Sequence, residues 1–473
     1  MEKQNENDVL LKVENLCQYF KMGPAMELKA VDNVSFEIRK GEVFGLVGES
    51  GCGKTTTGRS IIKLYDITSG NVIFEGQRIC AGIRSYKDAV RAAKAEYKAE
   101  TSEVKKLIKA DKQAGATEVK DEYTQRLNAA EEKLHAVMQE QTANIRSARY
   151  DDKTCNKQYA AVQVQKVKDE FQPKKDALDA AFNEYERVEP ENVSEEDVQK
   201  LKEAVEKALG VSIEDGATSA DTVEKLRDEF KAFSKEYKKE MRLAKRDRIM
   251  NKMQMIFQDP IASLDPRMTV RDIIAEGLII RGVRDKKYID EQVYKMLDLV
   301  GLVPEHANRY PHEFSGGQRQ RIGIARSVIM EPELIIADEP ISALDVSIQA
   351  QVINLLNELR DRLGLTILFI AHDLSVVKYF SDRIGVMYFG KMVELATSDE
   401  LFAHPLHPYT KSLLSAIPLP DPEYEKTRKR YVYNPLAEHD YSQDKPSLRE
   451  VSDGHFVMCN DAELQKYRAE LNA

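Results

Sequence analysis

No apolar run in this sequence of 473 residues approaches the roughly 18 residues a helix needs to cross a bilayer, which excludes a membrane-spanning helix. The first residues, MEKQNENDVLLKVENL, carry charge where a secretory signal needs an apolar stretch, so the chain is expected to stay in the cytosol. Cysteine is scarce. Cys17, Cys52, Cys80, Cys155 and Cys459 stand singly, without the close pairs that metal sites and redox dithiols need, and reduced thiols are expected. Excess positive charge is missing too: the formal net charge of -9 gives no electrostatic reason to hold a phosphate backbone, and no nucleic acid partner is expected.

What is present is enough apolar matter for a real core, 42% hydrophobic residues against 32% charged, in a chain too long for one ordinary domain. From residue 10 to about 82, LLKVENL, AVDNVSFEI, VFGLVG and NVIFEG read as short strands with turns between them. From 84 to 247 the chain turns Ala-, Lys- and Glu-rich and poor in Gly and Pro, with helical spacing. Tyr123, Leu127, Ala130, Leu134, Val137 and Gln141 alternate four and three apart, and Val90, Tyr97 and Val104 recur every seven, which suits paired helices. Breaks are expected at Gly115, at the DDKTCN segment, at Pro190 and near Gly216, giving four or five helices, with Ser194 and Asp197 as a capping-box-like start. Strand and helix vocabulary returns at Met253, where LIIAD and TILFIAH suit buried parallel strands. The expected division is therefore 1–83 and 248–399 as two parts of one α/β domain, 84–247 as a helical insertion, and 400–473 as a Pro- and Tyr-rich extension draped on the core.

Gly48-Glu49-Ser50-Gly51-Cys52-Gly53-Lys54-Thr55 matches G-x-x-x-x-G-K-[ST] between the strand VFGLV and the helix-compatible TTTGRSIIKL, which begins with Thr55 and Thr56. Glycines let the backbone N–H groups point at phosphate oxygens, Lys54 reaches the terminal phosphates and Thr55 ligates Mg²⁺. Leu334 to Glu339 is an apolar strand ending in two carboxylates, which puts Asp338 on Mg²⁺ through water and Glu339 beside an attacking water as general base. Alone, the acidic pair could cap the next helix; beside a phosphate loop the catalytic reading outweighs it. Together the two motifs define an ATPase without naming its family.

Phe314-Ser315-Gly316-Gly317-Gln318, just before RQRIGIARSVIM, resembles the LSGGQ signature of the ABC ATPases, with Phe in the first place. The resemblance implies a P-loop NTPase fold with a RecA-like core, an antiparallel β-subdomain and a helical signature subdomain, here carrying an all-helical, coiled-coil-like insertion. It also implies a head-to-tail pair of ATPase domains, with Ser315 and Gly317 of one facing the γ-phosphate on the other. By the same resemblance Gln258 in QMIFQDP is the Q-loop glutamine, orienting water or Mg²⁺; Ser342-Ala343-Leu344-Asp345 is the D-loop, and His372 is the switch histidine that holds the attacking water in line with Glu339. The adenine-stacking aromatic falls on Phe20, with Tyr19 as the neighbouring candidate.

QDPIASLDPRMTV, ISALDVSIQAQV and HPLHPYTKSLLSAIPLPDP resemble the OppF/DppF branch of peptide-permease ATPases. What that implies is an ATP-binding and ATP-hydrolysing subunit of an importer for oligopeptides or dipeptides, at the cytoplasmic face of the membrane. Implied partners are a second ATPase of the OppD/DppD kind, two permease subunits and, indirectly, an extracytoplasmic substrate-binding protein. A nickel or other small-solute importer is the alternative within the branch. Ile261 and Asp265 depart from the branch pattern in a segment that faces the permease in the family. A chromosome or DNA-repair ATPase fits less well, because in those proteins the helices follow the Q-loop, whereas here they precede Gln258.

Overall fold

The computed structural model describes residues 8–23, 26–114, 118–188, 193–342, 344–417 and 430–471; Gly115, Pro190, Ala343 and the PLPDP run fall outside them. Four strands, β1 (Val9–Lys21), β2 (Glu27–Arg39), β4 (Ser69–Phe74) and β5 (Gln77–Ile83), form an antiparallel sheet in the order β2-β1-β4-β5. Leu11 and Val13 are buried and Lys12 between them is exposed, the period of two that a one-sided sheet requires.

The second sheet has eight strands: β3 (Val43–Val47), β6 (Met253–Ile256), β7 (Leu334–Asp338), β8 (Thr366–Ala371), β9 (Arg383–Tyr388), β10 (Lys391–Thr397), β11 (Ser447–Ser452) and β12 (His455–Cys459). Their order is β11-β12-β10-β9-β3-β8-β7-β6. Strands β6, β7, β8, β3 and β9 pair in parallel, and every residue of β3, β7 and β8 is buried. Burial on both faces explains why VFGLV, LIIAD and TILFIA read as unbroken apolar runs. The extension is not draped on this core. Glu394 and Leu395 of β10 pair with Val457 and Phe456 of β12, so the tail continues the main sheet, over a cluster of Leu406, Val451, Val457, Cys459 and Tyr467.

Helix α1 (Lys54–Ile61) follows β3. Residues 84–247 form α2 (Arg84–Gln113), α3 (Asp121–Tyr185), α4 (Glu195–Leu209) and α5 (Ser219–Arg246), and Ser194 caps α4 in a capping box with Asp197 as the sequence predicts. The break expected at DDKTCN is absent: α3 runs for 65 residues through that segment and through Pro173. Tertiary contacts override the local signal there. Asp151 meets Arg78, Asp152 holds Lys63 at 2.7 Å, and Cys155 is buried beside the Ile79 carbonyl, while within the helix Thr154 donates back to the Tyr150 carbonyl at 2.7 Å. The seven-residue spacing does pair α2 with the first half of α3, with Arg126 on Glu100 at 2.8 Å and Val104 and Tyr123 buried.

The chain divides into two compact units, and the division does not fall at 84 and 247. One comprises residues 1–155, 252–274 and 294–473; it holds both sheets, α2 and the first half of α3. The other comprises residues 156–251 and 275–293. Its core is Leu178, Phe182, Val198, Leu201, Val205, Ile213, Val223 and Leu226, with Phe182 stacked on Phe230 at 5.2 Å. Within it Arg281 lies 3.4 Å from Asp247.

Candidate functional site

From Val47, the last residue of β3, the chain turns through Gly48, Gly51 and Gly53, whose φ angles of 147°, 83° and 108° suit only glycine. Space is barred as well: a Cβ on Gly48 would stand 2.2 Å from the Met387 carbonyl oxygen, and one on Gly53 2.2 Å from that of Ala30. Helix α1 then begins with Gly53 as its cap and no side-chain hydrogen bond, which leaves its first N–H groups free for an anion. Glu49, Ser50 and Gly51 form an exposed crest, Cys52, Gly53 and Lys54 are buried, and Thr55 and Thr56 are half-buried. The Lys54 ammonium donates to the carbonyls of Gly48 at 2.7 Å and Glu49 at 2.9 Å. Burial pushes the Cys52 thiol up, so it packs as a neutral group.

Thr55 Oγ1 donates to Asp338 Oδ1 at 2.7 Å. Asp338 ends β7 with no exposed surface; its Oδ2 has no hydrogen bond, and Arg59 lies 3.9 Å away. Burial raises its carboxyl, against the Thr55 hydrogen bond and the Arg59 charge, which lower it. A buried carboxylate oxygen lacking a hydrogen bond beside a hydroxyl is a hard-oxygen pair that suits Mg²⁺.

The next residue, Glu339, sits at φ 45°, a strained conformation for a side chain larger than glycine. Its N–H donates to Ile370 of β8 at 2.9 Å, and its carbonyl takes the Ser342 N–H at 3.2 Å and hydroxyl at 3.0 Å. These bonds aim the carboxylate at two partners. Gln258, in the turn after β6, donates from Nε2 to Glu339 Oε2 at 2.8 Å, and His372, after β8, places Nδ1 3.4 Å from the same oxygen. The sequence-predicted base, Q-loop glutamine and switch histidine thus converge on one oxygen.

Ser315 caps α6 (Gly316–Val328) in a capping box with Gln318, leaving Ser315 and Gly316 exposed. At the next position a Cβ on Gly317 would stand 2.6 Å from Ile348 Cγ2, so the Ile348 side chain would have to shift. Asp345 caps α7 (Val346–Leu363) by position only, with no side-chain bond, and is exposed. Among the described residues no hydrogen bond or ion pair joins this group to the phosphate loop.

Of the two aromatic candidates, Tyr19 is committed: its hydroxyl binds Asp32, and Lys29 lies over its ring at 5.1 Å. Phe20 is half-buried, edge-on to Tyr65 at 5.4 Å. Ile261 is 65% exposed, in a turn where Asp259 accepts the Ile261 N–H at 2.7 Å, and Asp265 accepts that of Arg267 at 2.9 Å. Sequence reasoning missed Tyr409, at the start of α8 (Pro408–Ser415), whose hydroxyl lies 3.0 Å from the Glu49 nitrogen. The HPYT motif was the available signal, but nothing local ties it to a loop 360 residues away.

Residues 31–342 match the family model described as ABC transporter, and residues 393–443 the one described as oligopeptide/dipeptide transporter, C-terminal region. The chain is 42% identical to the oligopeptide transport ATP-binding protein OppF of Bacillus subtilis, over 97% of this chain and 98% of that one. It is 37% identical to the dipeptide transport ATP-binding protein DppF of Lactococcus lactis, over 97% and 96%. Matches of that extent take in the helical insertion. With the oligopeptide transport ATP-binding protein AmiF of Streptococcus pneumoniae the identity is 56% over 225 residues, 47% of this chain but 73% of that shorter one.

Proposed function

The chain belongs to the ABC transporter family, among the oligopeptide and dipeptide transport ATP-binding proteins, and from that premise we propose that it is the ATP-hydrolysing subunit of an importer of oligopeptides or dipeptides. The observation that carries the reading is the Glu339 carboxylate, met by Gln258 and His372 one residue beyond an Asp338 bonded to the phosphate-loop Thr55.

In this reading the N–H groups from Gly51 to Thr56 and the Lys54 ammonium take the phosphate oxygens of ATP, and Phe20 stacks on the adenine. Thr55 and Asp338 hold Mg²⁺, with Gln258 nearby, and the ion when bound neutralises phosphate charge. Glu339 accepts the proton of the attacking water, Gln258 and His372 fix the carboxylate and the water in line, and the strained backbone at Glu339 keeps that geometry before ATP arrives. Ser315, Gly316, Gly317 and Gln318, with Asp345, complete the site of a second ATPase subunit set head to tail. The chain works peripherally at the cytoplasmic face, docking on one of two permease subunits through the turn around Ile261; the exposure of Ile261 supports this, and among the described residues no helix is long and apolar enough to cross a membrane.

The test is ATP hydrolysis by the assembled transporter with Glu339→Gln in this chain alone. Turnover is expected to fall about 10²- to 10⁴-fold while ATP stays bound. Unchanged turnover would assign the chemistry to the partner subunit's site.

A further inference from the structure

A run of buried contacts links the C-terminal extension to the phosphate loop, and the reaction described above does not use it. Tyr409, 2% exposed, accepts the Glu49 N–H on its hydroxyl at 3.0 Å. Its own N–H donates to His407 Nδ1 at 3.1 Å, and its ring packs 4.4 Å from Tyr388 and 5.7 Å from Tyr433. The turn that carries it is held by Glu394 of β10, fully buried, whose carboxylate accepts the N–H groups of Leu406 at 2.8 Å and His407 at 3.1 Å. Glu394 in turn binds His455 Nε2 of β12 at 2.8 Å. The connection therefore passes from β12 through Glu394 and the backbone of 406–409 to Glu49.

A second tie reaches the same loop: the Gly390 N–H donates to the Cys52 carbonyl at 2.9 Å. Glu49 and Cys52 flank Ser50 and Gly51, so both ends of the crest are anchored while the crest remains exposed. Glycine-rich backbone loses more freedom on ordering than any other, and a ligand that must order it binds more weakly by that amount. Anchoring the loop before nucleotide arrives removes part of this cost. The hydroxyl is the functional atom, since a phenylalanine ring would fill the same space without accepting the Glu49 N–H.

We infer that Tyr409 is a positioning residue for the phosphate loop, through which the C-terminal extension sets the affinity of this subunit for ATP. The inference rests on the reading of the loop as an ATP site. Were Tyr409 only a packing residue, losing its hydroxyl would change little, because the Glu49 N–H, on an exposed residue, could turn to water.

The test compares the full chain with its Tyr409→Phe variant by calorimetric titration with MgATP and by steady-state hydrolysis in the assembled transporter. The dissociation constant and the KM for ATP are expected to rise about threefold to tenfold, the range of one lost neutral hydrogen bond, with kcat unchanged. A purely structural lesion would instead lower kcat and melting temperature and leave KM alone. Equal ATP affinity in variant and wild type overturns the inference, whereas a wild type that binds no ATP overturns the functional reading beneath it. Should the variant fold poorly, hydrogen exchange at the Glu49 amide of nucleotide-free wild type decides: protection is expected, and exchange at the rate of an open loop overturns the inference.

Discussion

Thr55 and Asp338 stand 283 residues apart in the chain and 2.7 Å apart in space. Their bond exists because β3, which delivers the phosphate loop, and β7, which ends in Asp338, both pair in parallel with β8. Parallel strands in one sheet present their carboxyl ends along one edge, where such sheets bind ligands.

Asp338→Asn keeps the shape of this pair and removes its charge. Hydrolysis by the assembled transporter is expected to fall about 100-fold, with half-maximal activity moved to higher Mg²⁺ concentration. A Mg²⁺ titration of turnover checks both, and an unshifted titration would remove Asp338 from the ion's site.

Gly53→Ala puts a Cβ 2.2 Å from the Ala30 carbonyl oxygen at a φ of 108°. Backbone cannot yield as a side chain can, so the loop must distort. ATP affinity is expected to drop more than about tenfold, and stability by about 1–3 kcal/mol, measured by titration and chemical denaturation.

His407 is buried with its Nδ1 accepting the Tyr409 N–H, and burial lowers its pKa from 6.5 to about 3, aided by His439 beside it. Between those values the unfolded chain binds a proton that the folded chain refuses, so this residue makes stability rise with pH and lowers it as pH falls below 6.5. From pH 6.5 to 5 the loss is on the order of 1–2 kcal/mol. His407→Asn, which can still cap α8, is expected to flatten the melting-temperature profile in that window; parallel profiles would refute the assignment.

Replacing residues 84–247 by a short linker removes none of the phosphate-loop residues and neither Asp338 nor Glu339. ATP affinity is expected to stay within about threefold. Melting temperature is expected to drop by several degrees, because Lys63 and Arg78 lose Asp152 and Asp151 and the contacts around Cys155 open to water. Calorimetric titration and thermal melting separate the two effects.

Much of the site was legible because its signals are local. The phosphate loop is a strand, a glycine turn and a helix start within one short stretch, and the signature helix begins at a capping box formed by adjacent residues Ser315 to Gln318. The misplaced break at DDKTCN shows the limit. Asp favours turns by itself, yet here Asp152 and Asp151 are held by Lys63 and Arg78, partners far away in the chain that no local window of sequence contains.

Alone, the sequence determined the strands and helices around the glycine-rich loop, which follow from near neighbours, spacing and backbone preference, and its motifs carried the resemblance to the family. Tertiary structure alone decided that Gln258 and His372 share one oxygen of Glu339, that the extension joins the main sheet through β12, and that Tyr409 reaches Glu49. Those contacts depend on the order of strands in a sheet, which is fixed by burial of whole surfaces rather than by any local preference.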